Sequence, residues 1–270
     1  MMTHWLGMPA VAAAHGAQID NLIGWIHVFM FILFIGWGGF FVYTLIRFRR
    51  SRNPVASYTG VTSHASNYSE IAVAVIEGVL LIGFAIPLWA ARVGDIPPEN
   101  QALVVHVTAE QFAWNVRYSG ADGKFGKTDI KKIDTQTNPL GLDFSDPDAK
   151  DDVTTLNQLY LPANTQIIVK LRSKDVIHSF GVPEFRVKQD AVPGYTIPIW
   201  FVPTVTTAEM RTRTGNAEFQ YEIACAQLCG LGHYRMRGFV TVLPTDEFKT
   251  WMDERVKEAL AAASDPFRRP

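Results

Sequence analysis

Neither sign of charge is in excess in this chain of 270 residues: 25 Lys and Arg stand against 26 Asp and Glu, a formal net charge of -1. Proteins that bind nucleic acid generally carry a basic surface, so this balance excludes nucleic acid as a partner by charge. Internal repeats and low-complexity tracts are also lacking. Cysteine is scarce, because the chain has only Cys225 and Cys229, and both fall in one short run.

Two long apolar runs stand out near the N-terminus. Residues 22–46 contain no charged residue, and the run is longer than the roughly 20 residues that span a bilayer. No basic region precedes it, so we interpret it as a transmembrane helix rather than a cleaved signal peptide. A second span is predicted at about 71–91, interrupted by Glu77 and Pro87. Together the two spans predict a hairpin in a lipid bilayer.

The charges between the spans predict the topology. Arg47, Arg49, Arg50 and Arg52 lie in the connecting segment, and basic residues in short loops mark the cytoplasmic side. Both termini and the large C-terminal part are therefore expected on the periplasmic side of a bacterial inner membrane, as in a multi-pass protein. Paired prolines within 93–100 indicate a semi-rigid linker. We expect a membrane anchor over 1–94, a periplasmic domain over 95–244, and a C-terminal helix and tail over 245–270.

Beyond the linker the pattern changes to short β-rich runs separated by turn residues. Such spacing predicts an antiparallel sandwich or barrel. The runs are 102–108, 112–118, 166–171, 195–202, 219–223 and 238–243. Residues 119–155 have little apolar periodicity and are predicted to form a polar insertion. The segment 245–260 opens with a candidate N-cap, Thr245, and an acidic first turn, which indicates a helix.

Four soft donors lie within twelve residues: Cys225, Cys229, His233 and Met236. Thiolate, imidazole and thioether groups together favour copper over harder ions. With His178 the set comprises two cysteines, two histidines and a methionine, too many soft ligands for one ordinary mononuclear centre. Two copper ions would use them all. The alternative is a small disulfide ring between the two cysteines, which an exported domain would permit.

These motifs resemble subunit II of the haem-copper respiratory oxidases, above all a bacterial variant of cytochrome c oxidase, with its dinuclear CuA centre in a cupredoxin domain. The two-helix hairpin and the segments 111–118, 174–183, 188–194 and 225–236 carry the resemblance. The resemblance implies that Cys225 and Cys229 bridge two coppers. It further implies that His178 and Met236 complete one copper site, and that His233 and the backbone carbonyl of Gln227 complete the other.

The resemblance implies a role in electron transfer rather than bond-making. Electrons would arrive from a cytochrome c and pass to haem in subunit I, where oxygen is reduced to water with proton translocation; subunit III would be a further partner. Two alternatives stay open. The same domain occurs as the CuA subunit of a nitric oxide reductase, which the co-purified catalytic subunit would distinguish. A membrane-tethered copper chaperone or storage domain would need neither a second span nor a path to haem.

The chain departs from the family pattern at several positions. Gln227 replaces a common Glu whose carboxylate helps to bind magnesium at the subunit I boundary, so magnesium is not expected through this side chain. Phe112 replaces the Trp at which electrons would arrive, which leaves Phe112 and Trp114 as alternative electron-transfer residues. Glu70 matches a carboxylate near a proton path into subunit I. Glu77 replaces a usual proline, and we predict a proton-relay or inter-subunit polar role for it.

Two further groups have weaker assignments. The acidic cluster 143–152 could steer a basic cytochrome c by its field or be a solvated loop, and it lacks the spacing of a calcium loop. The remaining histidines are predicted to be structural or solvated; they are His4, His15, His27, His64 and His106.

Overall fold

The computed structural model describes residues 5–60 and 63–264, so His4 and the tail 265–270 lie outside the described residues. By its internal contacts the described part of the chain divides into two units, residues up to 8 with 17–91 and residues 9–16 with those from 92 onward. The first unit holds two helices long and apolar enough to cross a membrane, α1 (Gly16–Arg47) and α2 (Ala65–Val93). Both helices extend beyond the predicted spans, because the apolar window marks only the hydrocarbon crossing, whereas the helical hydrogen bonds continue into the polar flanks.

Helix α2 changes its hydrogen-bond pattern just before Pro87. The segment Leu81–Ala85 is a π-helical turn between two α-helical parts, and the N–H of Ile86 reaches back to the carbonyl of Leu81. Proline lacks an N–H, and its ring clashes with the carbonyl four residues earlier. Local widening of this kind lets an apolar helix accept a proline within a membrane span.

The second unit is a sandwich of two five-stranded sheets. The first sheet has the order β3-β2-β1-β5-β8 and the second has the order β4-β10-β9-β6-β7. The strands of the first sheet are β1 (Leu103–Glu110), β2 (Ala113–Tyr118), β3 (Val153–Leu156), β5 (Ile167–Ser173) and β8 (Ile197–Phe201). Those of the second are β4 (Gln158–Pro162), β6 (His178–Val182), β7 (Val187–Ala191), β9 (Tyr221–Cys225) and β10 (Arg237–Leu243).

The sandwich is the expected one, but two strand pairs depart from the antiparallel pattern. β1 pairs in parallel with β5, and β10 pairs in parallel with β4. Each parallel pair joins strands far apart in sequence, because parallel neighbours need a long crossover rather than a tight turn. The six β-rich runs of the sequence correspond to six of these strands. The short strands β3, β4, β6 and β7 are not expected from the sequence pattern.

Alternation along β1 shows how the core is formed. Val105, Val107 and Ala109 are fully buried between the sheets, whereas His106 lies on the opposite face of the same strand. Successive side chains of a strand point to opposite faces, so one strand supplies both the core and the outer surface. Two helices complete the domain, α3 (Thr207–Thr214) and α4 (Thr245–Ser264).

Each helix has a clear local cause. The side chain of Thr206 caps α3 and pairs with Glu209 in a capping box, a motif that satisfies two otherwise free N–H groups. α4 confirms the predicted C-terminal helix and buries Phe248 and Val256. Its Trp251 stacks on Tyr160 with ring centroids 4.3 Å apart.

Residues 9–16 belong with the sandwich, although the expected anchor included them. The N–H of Ala12 donates to the carbonyl of Glu184 (2.8 Å), and the carbonyl of Ala12 accepts from the N–H of Thr204 (2.8 Å). Ala12 and Ala13 are buried in the core of the domain. The small side chains of Ala12 and Ala13 let this segment pack closely against the strands. Hydropathy does not distinguish such a segment from the start of a membrane anchor.

The insertion 119–155 is more firmly packed than its polar composition indicates. Arg117 of β2 forms a buried ion pair with Asp152. Asp151 accepts hydrogen bonds from the N–H groups of Ala121 (2.7 Å) and Asp122 (3.0 Å). Carboxylates buried in this way are held by backbone donors and a cation rather than by water. The last residues of the expected insertion belong to β3.

Candidate metal centre

The soft donors converge at one end of the second sheet. His178 is the first residue of β6 and is fully buried. Cys225 ends β9, and β10 begins at Arg237. The loop between these two antiparallel strands carries Cys229, His233 and Met236. β6 and β9 are hydrogen-bonded neighbours, so the sheet register places His178 beside the loop.

Six donor atoms lie close together. The Nδ1 of His178 lies 3.1 Å from the Sδ of Met236 and 3.9 Å from the Sγ of Cys225. The Sγ of Cys229 lies 3.7 Å from each of three atoms, namely the Sγ of Cys225, the Nδ1 of His233 and the Sδ of Met236. The carbonyl oxygen of Gln227 lies 3.2 Å from the Sγ of Cys225. All the donors of the sequence motif are therefore brought together.

The two cysteines are free thiols. Their sulfur atoms are 3.7 Å apart, whereas a disulfide bond is about 2.05 Å long. The alternative of a disulfide ring is thus wrong for this structure. Metal–sulfur and metal–nitrogen bonds are about 2.0–2.3 Å long, so two donors on one ion are normally separated by about 3–4.5 Å. The observed spacing fits shared metal coordination without rearrangement.

Burial disfavours the charged form of the Cys229 thiol. Burial, followed by the neighbouring Cys225 thiol, raises the pKa of Cys229 to about 11. A thiolate is the metal-binding form, so binding of a cation here must displace protons. The donor set of thiols, imidazoles and a thioether suits a soft transition metal rather than magnesium or calcium.

Outside the donor atoms, Asp175 holds His178 in place. One carboxylate oxygen of Asp175 lies 2.8 Å from the Nε2 of His178, and the other accepts the N–H of Gln111 at 2.7 Å. Although burial raises it, hydrogen bonds from His178 and Gln111 lower the pKa of Asp175 below its usual value. A carboxylate on one ring nitrogen fixes the tautomer and directs the other nitrogen to the centre. The role of Asp175 was missed from the sequence, although it precedes His178 by only three residues.

Gln111 and Phe112, in the turn between β1 and β2, contact the donor loop through a hydrogen bond and through ring packing. The side-chain amide of Gln111 donates to the carbonyl of Cys229 at 2.6 Å. The ring of Phe112 lies against Gly230 and Gly232, and a Cβ added at Gly232 would be 2.4 Å from the ring. Only glycine permits this approach, which explains the two glycines of the loop.

The two proposed electron-transfer residues have different exposure. Trp114 is fully buried, with its ring edge-on to His178 at a centroid distance of 6.3 Å. It therefore offers no surface to an incoming protein, and any role for it lies inside the domain. Phe112 is half-buried. Gln227 has an exposed side chain, and only its backbone oxygen faces the thiols.

Other predicted residues lie away from these donors. Glu70 and Glu77 lie on α2 with exposed side chains. In the acidic cluster, Asp151 and Asp152 are more than nine-tenths buried, so these two cannot steer a partner. His15 is buried, His106 stacks on an aromatic ring, the Nδ1 of His27 lies 2.8 Å from a helix carbonyl, and His64 precedes α2.

The fold and the donors define a class of protein: a β-sandwich on a two-helix apolar anchor, with a soft metal site in a loop between two strands. Comparison with known proteins agrees. The family described as cytochrome c oxidase subunit II, periplasmic domain, matches residues 103–242. The alternative cytochrome c oxidase subunit 2 of Bradyrhizobium diazoefficiens is 32% identical over 248 residues, which cover 90% of this chain and 82% of that protein.

Two further matches are a relative from Aeropyrum pernix and a solved structure. The heme-copper oxidase subunit 2 of Aeropyrum pernix is 30% identical over 220 residues, 77% of each chain. The crystal structure of the periplasmic domain of cytochrome oxidase subunit II of Bradyrhizobium japonicum is 28% identical, with a TM-score of 0.41, and covers 60% of this chain and 98% of that one. This chain belongs to the cytochrome c oxidase subunit II family. Membership supports a membrane-anchored subunit with an electron-input role in an oxidoreductase complex.

Proposed function

We propose that this chain accepts electrons from a cytochrome c at a dinuclear CuA centre and passes them to haem in subunit I, where oxygen is reduced to water with proton translocation. The observation that carries the proposal is the convergence of six donor atoms, each within 4 Å of another. Oxygen reduction itself is assigned to subunit I, so this subunit would be an enzyme only as part of the complex.

The contacts support a division of the donors between two copper ions. His178 lies next to Met236, and His233 lies next to Cys229. We assign His178 and Met236 to one copper, His233 and the carbonyl of Gln227 to the other, and Cys225 and Cys229 as bridges. Copper bound there would supply a one-electron redox centre. Gln227 offers magnesium only an uncharged amide, so magnesium is not part of the proposal.

The chain's own residues make the site rigid. Asp175 orients His178, Gln111 holds the Cys229 carbonyl, and Phe112 packs under Gly232. Electron transfer is favoured when the ligands move little between oxidation states, and ligands locked by surrounding contacts move least. Trp114, edge-on to His178, would act inside the domain.

Partners would meet the exposed donor loop. Leu228, Leu231 and Tyr234 are 77%, 97% and 85% exposed, and large apolar side chains at such exposure indicate a protein-binding surface. We assign this surface to the redox partners, cytochrome c and subunit I. Of the two candidate electron-entry residues, Phe112 is assigned to the entry point, because Trp114 is fully buried. Subunit III and lipid would cover the helices.

We place α1 and α2 in a bacterial inner membrane with the sandwich on the periplasmic side. Arg47, Arg49, Arg50 and Arg52 follow α1, and basic residues in a short loop favour the cytoplasm. Glu70 and Glu77 on α2 are assigned to proton uptake or to a polar contact with subunit I. Unchanged proton uptake and turnover in a Glu77→Gln oxidase would remove the assignment of Glu77.

The test is an electron paramagnetic resonance spectrum with a copper count on the full chain in detergent after copper loading. We expect two coppers per chain and hyperfine structure from one electron shared between them. His233→Asn should abolish the shared signal, whereas the matched control His64→Asn should keep it. A single-copper signal would refute the dinuclear site. Labile copper without the shared signal would indicate storage or delivery instead.

A further inference from the structure

A cavity separate from the donor cluster lies on the outer face of the first sheet, beneath the insertion 119–155. Its volume is about 190 Å³, room for several waters or for a small ion with some of its hydration. The sheet side is formed by His106, Thr108, Arg117, Arg172, Ser173 and Lys174. Thr128 and Leu140 are among the residues that the insertion contributes. Without the insertion this face would be open to solvent.

The cavity wall is positively charged. Arg117, Arg172 and Lys174 line it, and none of the lining residues in the described part of the chain is a carboxylate. Asp152 pairs with Arg117, and Glu110 pairs with Lys174, so those two cations are compensated from outside the lining.

Arg172 has no such compensation. Its Nε donates to the hydroxyl of Thr196 at 2.7 Å, and no carboxylate among the described residues forms an ion pair with it. One full positive charge of the wall is therefore unbalanced. The side chain of Arg172 is exposed, so an anion from solvent can reach it.

Two polar atoms of the lining residues have no hydrogen-bond partner. Arg117 is 4% exposed and its Nε is unpaired, and the buried Nε2 of His106 is also unpaired. Proteins seldom leave buried polar groups unsatisfied, and an unexplained case indicates a bound water, ion or ligand. Both atoms are shielded from a water-sized probe, so a bound acceptor could satisfy them only after a rotation of these side chains toward the cavity.

The pKa of His106 is lowered partly by the positive charges around the cavity. Its ring stacks on Phe125 of the insertion with centroids 3.8 Å apart. Burial, followed by the charges of Arg172, Arg117 and Lys170, lowers the pKa of His106 to about 3. The ring is therefore neutral at neutral pH, so the positive charge of the cavity wall comes from the Arg and Lys side chains alone.

We propose that this cavity binds a small oxyanion, of the size of inorganic phosphate or a short dicarboxylate, with Arg172 as its main charge partner. Ser173, the last residue of β5, and Lys174, the first residue of the loop that leads to His178, both line the cavity. A bound oxyanion would thus hold one end of that loop. The site uses none of the soft donors, so it stands or falls independently of the copper assignment.

The experiment is isothermal titration calorimetry of the full chain in detergent, with phosphate and separately with succinate at constant ionic strength. We expect one saturable site per chain for at least one of the two anions. Binding should weaken at least tenfold in Arg172→Gln and be largely retained in Arg172→Lys, which keeps the charge. Arg213→Gln, at an exposed arginine of α3, is the matched control and should bind as the parent chain does.

Two results would overturn the proposal. One is the absence of saturable binding of either anion to the parent chain. The other is an equal loss in the Arg172→Gln and Arg213→Gln variants, since that would show attraction by overall charge rather than a site. Preference for phosphate over succinate, or the reverse, would identify the class of oxyanion.

Discussion

Replacing Gly232 by alanine tests how the donor loop is held. The backbone of Gly232 has φ of -90°, which alanine adopts freely. Any effect of the substitution therefore comes from the steric contact of the added Cβ and not from backbone strain. The added Cβ would lie 2.4, 2.6 and 2.7 Å from the Cδ2, Cγ and Cε2 atoms of Phe112. Ordinary carbon contacts are about 3.5–4.0 Å. The loop or the ring must therefore move by about 1 Å.

The expected cost follows from overpacking, which typically destabilises by about 1–3 kcal/mol. For a domain of this size each kcal/mol lowers Tm by about 2–4 °C, so Gly232→Ala should lower Tm by between about 2 and 12 °C. Thermal unfolding of the full chain in detergent, followed by near-ultraviolet circular dichroism, measures the shift. The control is Gly60→Ala, because a Cβ at Gly60 meets nothing within 4 Å.

A second substitution isolates the cause. In a Phe112→Ala background the clash is absent, so adding Gly232→Ala should cost less than about 0.5 kcal/mol, the usual limit of additivity. The two changes should thus couple by about 0.5–3 kcal/mol. If Gly232→Ala leaves Tm unchanged, or lowers it equally with and without the ring, Phe112 does not support the loop.

Three further predictions concern groups around the two sites. Because the pKa of His106 is about 3 in the folded chain and ordinarily 6.5, the unfolded chain takes up the proton first, and stability should fall as pH drops from about 6.5 to 3. His106→Gln should flatten the Tm–pH curve in that window. Arg117→Met leaves the buried Asp152 carboxylate without its ion-pair partner and should lower the free energy of unfolding, measured with denaturant, by about 3–5 kcal/mol. The double variant Arg117→Met with Asp152→Leu should lose less, because no unpaired charge remains buried. Asp175→Ala frees the ring of His178 and should weaken copper binding about 10- to 100-fold in a competition titration.

The features that could be predicted from the sequence are local ones. The two spans follow from long apolar runs, and the donor set is visible because Cys225, Cys229, His233 and Met236 fall within twelve residues of the sequence. His178 lies 47 residues before Cys225, and its place beside them depends on the pairing of β6 with β9. The sequence alone does not specify that pairing, and the family resemblance supplied it.

The missed strands lack the alternation that identifies a strand. All five residues of β6 are buried, and β7 has only its last residue buried. Neither pattern has a period of two, so hydropathy gives no strand signal. The insertion was missed as a packed element for a different reason: its buried groups are Asp151 and Asp152, and carboxylates are ordinarily read as surface residues.

The geometry of the metal site depends on contacts that no local motif contains. The turn residue Gln111 contacts Asp175 across 64 residues and Cys229 across 118 residues. Through these two hydrogen bonds the turn positions both Asp175, which orients His178 on β6, and the donor loop that follows β9. The turn joins β1 and β2, whose inward residues form the core, so the same sandwich that buries the core also positions the donors. Preorganisation of this kind is what the proposed electron-transfer role requires.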